Sequence, residues 1–361
     1  MEQQGKSRVL SGMRPTGRLH LGNYMGALYN WVRLQDAYDC FFFIADWHAL
    51  TTDYAKPGDV HGKSLDVAMD FLAAGLDPSK SVLFVQSHVH QHASLSLLFG
   101  MLTPVPWLER VPTYKDQQEQ LREKDLATYG FLGYPLLQAA DILLYKPTYV
   151  PVGQDQVAHI ELTREVARRF NQLYRSAVTP EVAAAKSDKE LMKAEISENV
   201  LEEVTFPEPN ALLTPSPKLP GLDGRKMSKS YGNTIALTEA PDDIRKKLKT
   251  MVTDPARVRR TDPGNPDVCP VGDLHKLFST PETLAKVYEG CRTAGIGCIE
   301  CKGWAADSLN THLEPIRSRR AELEAQPQVV EDILRDGARR AEAVAAASMH
   351  EAMVAVGLRR A

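Results

Sequence analysis

Two short segments that contain strongly apolar runs followed by polar residues, separated by a stretch with helical periodicity, constrain the fold of this chain more than any other feature. The segments are CFFFIADWHAL (40–50) and SVLFVQSHV (81–89), and SLDVAMDFLAAG (64–75) lies between them. A partly apolar segment at 7–11 precedes a further helical pattern, YMGALYNWVRLQDAY (24–38). Strands that alternate with helices at this spacing indicate a parallel sheet covered on both faces, so we predict an α/β fold of Rossmann type. Ligands of such sheets bind at the carboxyl ends of strands.

The second half of the chain has a different pattern. From Ala177 to Pro220 the sequence is rich in Ala, Glu, Lys and Pro and has no clear strand, which predicts an insertion near 177–214 followed by a loop. After Ala240, apolar residues recur at helical spacing almost to the end. We therefore predict a Rossmann-type domain at 1–236, an all-helical domain at 237–340 and a C-terminal helix at 341–361.

The bulk composition excludes some classes of protein. The 361 residues carry a formal net charge of -3, so any contact with RNA must come from local basic patches. No apolar run reaches the roughly 18 residues that a membrane span needs, and the polar N-terminus does not resemble a signal peptide. We expect a cytoplasmic protein with no membrane segment, in which thiols stay reduced.

The first chemical motif is the segment Arg14–Asn23, RPTGRLHLGN, between a predicted strand and a predicted helix. Glycine lets the backbone approach a ligand closely, and a helix N-terminus offers free N–H groups to phosphate. His20 and Asn23 can share one face of the first helical turn. A capped turn without a ligand is the alternative for any single residue, but it accounts less well for the whole segment.

The second motif is the pentapeptide Lys226–Ser230, KMSKS, on a loop bounded by Gly224 and Gly232. Two lysines on such a loop can surround a triphosphate that moves during a reaction, because lysine is a flexible point charge. The alternative is a solvated surface loop, in which Lys and Ser are common.

In their order and separation, the two motifs resemble the paired signatures of class I aminoacyl-tRNA synthetases. The resemblance implies ATP as a substrate, with Mg2+, and a catalytic set of His20, Asn23, Lys226 and Lys229. The ATP-contacting residues that it implies are Arg14, Pro15, Thr16, Gly22, Asn23, Gly153, Asp155, Lys226, Met227, Ser228, Lys229 and Ser230. Lys115 is a further candidate phosphate contact, with a surface lysine as the alternative.

The segment Gly133–Tyr145 bears on the amino acid that is activated. If a helix begins near Pro135, then Tyr134, Gln138 and Asp141 lie on one of its faces. A carboxylate among aromatic and apolar groups can accept a hydrogen bond from a ring N–H or O–H, and such a site rejects analogues that lack the donor. A local cap or salt bridge is the alternative for the aspartate.

This segment and Val150–Arg164, together with Ser11–Gly17 and Asn23–Leu28, resemble tryptophanyl-tRNA synthetases from about Arg8 to the C-terminus. The resemblance implies tryptophan and tRNA(Trp) as substrates, a homodimer, and an anticodon-binding role for the helical domain. The tryptophan-contacting residues that it implies are His48, Tyr134, Gln138, Asp141 and Gln156. A structural histidine at a strand end is the alternative for His48. Gln138 departs from the usual residue of that family and is frequent in tyrosyl-tRNA synthetases, so a tyrosyl enzyme is an alternative.

Four of the five cysteines, Cys269, Cys291, Cys298 and Cys301, fall within 33 residues. Four thiolates can ligate a zinc ion or an iron–sulfur cluster, and four independent thiols are the alternative. The spacing is similar to that of tryptophanyl-tRNA synthetases that carry a [4Fe-4S] cluster in the anticodon-binding domain. That resemblance favours the cluster over Zn2+, with a structural or anticodon-orienting role. Cys40 is predicted to be a buried core thiol.

In the reaction that the resemblance implies, the tryptophan carboxylate attacks the ATP α-phosphate, pyrophosphate leaves, and a ribose hydroxyl of tRNA accepts the acyl group. The carboxylate is already ionised at pH 7, so catalysis depends on positioning and on stabilising phosphate charge. Besides the tyrosyl enzyme, the alternatives are another adenylate-forming ligase with the same phosphate motifs and a non-catalytic iron–sulfur protein that binds tRNA.

Overall fold

The computed structural model describes residues 5–112, 114, 126–174, 204–213 and 219–360. The strands in these ranges are β1 (Arg8–Met13), β2 (Asp39–Ile44), β3 (Ser81–Val85), β4 (Tyr149–Val152) and β5 (Asn210–Leu213). Neighbouring strands are all parallel, in the order β3-β2-β1-β4-β5. The predicted parallel sheet of Rossmann type is confirmed.

Helices cover the sheet and make up the C-terminal part of the chain. The helices of the sheet region are α1 (Leu21–Asn23), α2 (Tyr29–Leu34), α3 (Asp46–Asp53), α4 (Val60–Ala74), α5 (Gln91–Leu102), α6 (Val105–Glu109), α7 (Tyr129–Leu132), α8 (Tyr134–Leu143) and α9 (Val157–Leu173). After Ala240 the chain forms α10 (Pro241–Thr250), α11 (Pro270–Phe278), α12 (Pro281–Arg292), α13 (Cys298–Ala325) and α14 (Pro327–Ala355). A π-helical turn (Tyr24–Leu28) joins α1 to α2, and 3-10 turns lie at Gln86–His88, Gln154–Gln156 and Lys229–Tyr231. Among the described helices, none is both long and apolar enough to cross a membrane.

Strand β2 shows why its apolar run predicted the sheet correctly. Cys40, Phe42 and Ile44 belong to one hydrophobic core, and Phe41 and Phe43 belong to the other. Successive side chains of a strand point to opposite faces, so a strand that is buried on both faces is apolar throughout. Helices α4, α10 and α13 close the first core, and helices α5, α8, α9 and α14 close the second.

The prediction that no strand lies between Ala177 and Pro220 is wrong, because Asn210–Leu213 forms the edge strand β5. This strand has only four residues, none of them fully buried, and its pairing with β4 rather than an apolar pattern defines it. Most of the predicted insertion, at 175–203, lies outside the described residues, as do Lys115 and the side chain of Asp155.

The chain order places a ligand crevice between β1 and β4. From β1 the chain continues to β2 and β3 on one side of the sheet, whereas β4 and β5 lie on the other side of β1. Ligands of doubly wound sheets bind at such a switch point, outside the carboxyl ends of the strands.

The last helix, α14, packs across the sheet at β3. A Cβ atom at Gly337 would lie 1.7 Å from the carbonyl oxygen of Leu83, so only glycine permits this close crossing. The helix begins at Pro327, inside the range predicted for the helical domain. The domain boundaries at 236 and 340 stay a prediction.

Candidate active site

The loop after β1 ends in a capped helical turn that orients two of the predicted catalytic side chains. His20 is the N-cap of α1, and its Nδ1 accepts a hydrogen bond from the Gly22 N–H at 3.1 Å. In return, the His20 N–H donates to Asn23 Oδ1 at 3.2 Å. A Cβ atom at Gly22 would lie 2.9 Å from the His20 ring, so glycine is needed here. This reciprocal capping box fixes both side chains at the helix start.

His20 is neutral in this environment. Burial, followed by the positive charge of Lys229, lowers the pKa of His20 to about 4. Because Nδ1 accepts a hydrogen bond, the proton of the neutral ring lies on Nε2. That nitrogen can therefore donate to a phosphate oxygen without first being protonated by solvent.

The lysine loop lies directly against the first motif. Lys229 Nζ donates to the carbonyl oxygen of Thr16 at 2.5 Å, and burial near this contact lowers the pKa of Lys229. The Leu21 N–H donates to the carbonyl oxygen of Ile235 at 3.0 Å, just beyond the loop. Thr16 and Lys229 are 213 residues apart in the chain, so the fold brings the two motifs together at one place.

Asn233 holds the lysine loop together, although we did not predict a role for it. Its Oδ1 accepts from the Ser228 N–H at 2.8 Å, and its Nδ2 donates to Asp223 Oδ1 at 2.7 Å and to the Lys226 carbonyl oxygen at 3.2 Å. Asn233 is buried, whereas the side chains of Lys226 and Ser230 are exposed. The buried amide therefore supports a loop in which Lys226 remains in solvent.

A cavity of about 410 Å³ opens beside the C-terminal ends of β1 and β4, at the predicted crevice. The predicted site residues that line it are Arg14, His48, Tyr134, Gln138, Asp141, Gly153 and Gln156. The expectation that one face of α8 presents Tyr134, Gln138 and Asp141 together is confirmed. The other predicted residues with described side chains do not line this cavity; they belong to the two adjoining loops and are Pro15, Thr16, His20, Gly22, Asn23, Lys226, Met227, Ser228, Lys229 and Ser230.

Arg14 connects the first loop to the cavity wall. Its Nη2 donates to Thr52 Oγ1 at 2.6 Å and to the Ala49 carbonyl oxygen at 3.3 Å, both on α3. Burial lowers the pKa of Arg14, and the nearby charge of Asp53 partly offsets this effect. Its buried Nε has no hydrogen-bond partner among the described residues, which leaves a donor for a ligand in the cavity.

Asp141 is 1% exposed, and three donors surround its carboxylate. Gln86 Nε2 and His92 Nδ1 donate to Oδ1 at 2.7 and 2.6 Å, and His48 Nε2 donates to Oδ2 at 2.9 Å. Burial alone would raise the pKa of Asp141, but the hydrogen bonds from His48 and His92 outweigh it and lower the pKa to about 2. The carboxylate is therefore ionised, and its partners are distant in sequence, so it is not a local cap.

Gln86 and His92 were not among the predicted site residues. Both follow the apolar strand β3, Gln86 immediately and His92 at the start of α5. Polar residues directly after a buried strand were the available signal, because such positions lie at the ligand-binding edge of a parallel sheet.

The four clustered cysteines lie at the starts of two helices and within a third. Cys269 precedes α11, Cys291 belongs to α12, and Cys298 and Cys301 lie in the first turn of α13. Burial, followed by the charges of the other three thiols, raises the pKa of Cys301 to about 12, which indicates that the four are neighbours. In the described part of the chain, no group of three or more His, Cys, Asp or Glu is arranged to hold a metal ion. The fifth cysteine, Cys40, is buried in the core, as predicted.

Comparison with known proteins agrees with this arrangement. A family model described as tRNA synthetases class I (W and Y) matches residues 1–314. A tryptophan–tRNA ligase of Thermotoga maritima is 50% identical over 353 residues, which cover 97% of this chain and 99% of that protein. One of Ralstonia nicotianae is 49% identical over 393 residues, covering 97% and 98%.

A solved structure gives the same result. The tryptophanyl-tRNA synthetase from Campylobacter jejuni, complexed with ADP and tryptophan, matches with a TM-score of 0.80 and 31% identity. The match covers 97% of this chain and 99% of that one. The chain therefore belongs to the class I tRNA synthetases, within the tryptophan–tRNA ligases.

Proposed function

We propose that the cavity binds tryptophan, that Asp141 accepts a hydrogen bond from its indole N–H, and that the two adjoining loops bind ATP. The tryptophan carboxylate then attacks the α-phosphate and pyrophosphate leaves, after which a ribose hydroxyl at the 3′-end of tRNA accepts the tryptophanyl group. The observation that carries this proposal is an ionised, almost fully buried carboxylate on the wall of a largely apolar cavity at the crevice.

The indole ring suits this cavity because it is large, apolar and has a single donor. Aromatic rings bury a large area, and the ring N–H finds an acceptor when it is buried. An ionised acceptor makes a stronger hydrogen bond than a neutral one. A ligand without a ring donor would leave the carboxylate with an unmade bond, so the site rejects it.

The loops suit ATP because they supply donors and positive charge without needing a general base. His20 Nε2, Lys226 and Lys229 face charge that increases as pyrophosphate leaves. Mg2+ bound with ATP supplies further neutralisation of the phosphates. The side chain of Lys226 is exposed and flexible, so it can follow the moving phosphates.

Amino-acid-dependent exchange of pyrophosphate into ATP tests this proposal. We expect exchange with tryptophan and, with tyrosine, a kcat/KM at least about a hundredfold lower. Asp141→Asn should lower kcat/KM for tryptophan about ten- to a hundredfold, since it replaces a charged acceptor by a neutral one, and leave the KM for ATP nearly unchanged. Faster exchange with tyrosine would support the tyrosyl alternative, and tRNA binding without any exchange would support the non-catalytic one.

We propose further that Cys269, Cys291, Cys298 and Cys301 hold a [4Fe-4S] cluster. A tetrahedral zinc site with Zn–S bonds of about 2.3 Å needs sulfurs roughly 3.8 Å apart. A four-iron cluster takes more widely spaced thiolates than zinc. The charges of the other three thiols contribute to the raised pKa of Cys301, so all four lie near enough to share one metal group.

Arg257 supports an anionic group among these thiols. It is 9% exposed, and its Nη1 lies 3.8 Å from Cys291 Sγ. Its Nη2 donates to the carbonyl oxygens of Ile296 and Arg260, but its buried Nε has no partner among the described residues. A buried guanidinium with an unused donor is stabilised by a neighbouring negative charge, which a thiolate-bound cluster supplies.

Metal analysis of anaerobically purified protein tests the cluster. We expect about four irons and four sulfides per chain. Cys291→Ser should lose most of the iron, whereas the matched control Cys40→Ser, at a cysteine in the sheet core, should keep it. Zinc without iron in the unaltered protein would show that the cluster assignment is wrong.

A homodimer is the third proposal. Helix α5 carries the exposed apolar side chains Leu97 and Met101, which are four residues apart and therefore share one face of the helix. The side chain of Tyr129 is 75% exposed, and its Oη lies 3.0 Å from the position of a Cβ atom at Gly100, so it extends the exposed apolar surface of this helix. Such patches mark protein interfaces. Sedimentation should give twice the chain mass, and Met101→Asp should shift the protein to monomer.

A further inference from the structure

The donors around Asp141 leave one direction in which its carboxylate can accept another hydrogen bond. A carboxylate has about four acceptor positions, two on each oxygen. Gln86 and His92 fill both positions on Oδ1, and His48 fills one on Oδ2. The remaining position on Oδ2 is the one available to a ligand in the cavity, which Asp141 and His48 both line.

A second buried hydrogen bond, between His92 and Tyr145, holds the His92 ring that donates to Asp141. His92 is 0% exposed, and its Nε2 lies 2.8 Å from the Tyr145 hydroxyl. The ionised Asp141 carboxylate can only accept, so Nδ1 of His92, which lies 2.6 Å from Asp141 Oδ1, carries the proton. Nε2 of the neutral ring is then an acceptor, and the Tyr145 hydroxyl, whose pKa burial and the charge of Asp141 raise well above its usual value, donates to it.

We infer that His92, whose ring is held in place by the hydrogen bond with Tyr145, is a positioning residue that makes Asp141 present Oδ2 alone to the ring N–H of the amino-acid substrate. This inference rests on the proposed tryptophan site and extends it to residues outside the cavity wall. Neither His92 nor Tyr145 lines the cavity, so they act on the substrate only through Asp141.

The consequence of losing His92 follows from the same geometry. Oδ1 would gain an open acceptor position, and the carboxylate could rotate or bind water instead of meeting the ring N–H. Removing one buried donor to a charged acceptor weakens recognition by about ten- to a hundredfold. The loss should fall on ligands that have the ring N–H and spare those that lack it.

The test compares tryptophan with 3-(benzothiophen-3-yl)alanine, in which sulfur replaces the ring N–H, in the pyrophosphate exchange reaction. The measured quantity is the ratio of kcat/KM for the two amino acids. We expect His92→Leu to lower this ratio about ten- to a hundredfold. His92→Asn keeps an N–H donor near the position of Nδ1 and should restore most of the ratio. Tyr145→Phe, which removes the hydrogen bond that holds the His92 ring in place, should give an intermediate value.

The outcomes separate this inference from the proposed function. If the unaltered protein does not activate tryptophan, the proposed function fails. If it activates tryptophan but His92→Leu and Tyr145→Phe keep the unaltered ratio, the positioning role alone is refuted. Equal losses for both amino acids in all three variants would indicate a purely structural role and would also refute it. If His92→Leu does not fold, His92→Asn and Tyr145→Phe still test the positioning role. An unchanged ratio of kcat/KM for the two amino acids in Tyr145→Phe would then contradict the inference.

Discussion

Replacing Arg320 by methionine should both destabilise the protein and impair ATP binding. Arg320 lies near the end of α13 and is 3% exposed. Its Nη1 donates to Asp70 Oδ1 at 2.6 Å, and Asp70 is 0% exposed. The other carboxylate oxygen of Asp70 accepts from the Leu19 N–H at 2.6 Å, directly before His20. One buried ion pair therefore joins the long helix to the loop that we propose binds ATP.

The magnitude follows from burial. Removing one partner of a buried ion pair leaves an uncompensated charge and destabilises a protein by about 3–5 kcal/mol. The remaining contacts of Arg320, to Asp66 and Glu324, involve partly exposed carboxylates and contribute little. A carboxylate that has lost its cation also moves towards water, which releases the Leu19 N–H and loosens the loop.

Equilibrium urea unfolding and pyrophosphate exchange measure these two effects. We expect Arg320→Met to lower the free energy of unfolding by about 3–5 kcal/mol and to raise the KM for ATP several-fold, with the KM for tryptophan nearly unchanged. The matched control is Arg335→Met on α14, where the ion pair with Asp332 has exposures of 71% and 57% and the loss should stay below about 1 kcal/mol. Equal losses of stability in the two variants would contradict the stabilising role of the buried Asp70–Arg320 pair, and an unchanged KM for ATP would contradict its role in supporting the loop.

Three further predictions concern groups of the site. Lys229→Ala should lower kcat for adenylate formation about 10²–10³-fold, because the lysine acts on the developing phosphate charge, while the KM for tryptophan changes less than about threefold. Equal losses in the single-turnover rate and in tryptophan binding would contradict this prediction. Folding lowers the pKa of Asp141 to about 2, so its charge contributes about 2–3 kcal/mol of stability above pH 4 that is lost as the pH falls towards 2. In urea unfolding, the free energy of unfolding of Asp141→Asn should therefore depend less on pH in this range than that of the unaltered protein. Folding lowers the pKa of His20 to about 4, so its neutral ring contributes stability above pH 6.5 that is lost as the pH falls towards 4; a stability profile of His20→Asn with the same slope in this range would count against it.

Sequence analysis predicted those strands of the sheet whose apolar pattern is determined by burial alone. Strands β2 and β3 are buried on both faces, so every residue after their first is apolar and their assignment needed no tertiary information. Strand β5 could not be predicted in this way, because its four residues are partly exposed and it exists through pairing with β4. A short and partly exposed edge strand has neither the burial nor the apolar run that identified β2 and β3.

The same distinction applies to the site. Tyr134, Gln138 and Asp141 could be grouped from spacing, because helical periodicity fixes which residues share a face. His92 could not be grouped with Asp141, since 49 residues separate them and only the packing of α5 against α8 brings them together. Asp70 reaches Leu19 across 51 residues by the same kind of packing. Local motifs thus identified the groups that face the substrates, whereas the groups that orient them required the fold.

A crystal structure of the protein with bound tryptophan tests the proposed site most directly. We expect the indole nitrogen to lie about 2.7–3.2 Å from Asp141 Oδ2, with Gln86 and His92 still on Oδ1. An indole ring whose nitrogen faces another group, with a water molecule at the open position of Oδ2, would contradict it.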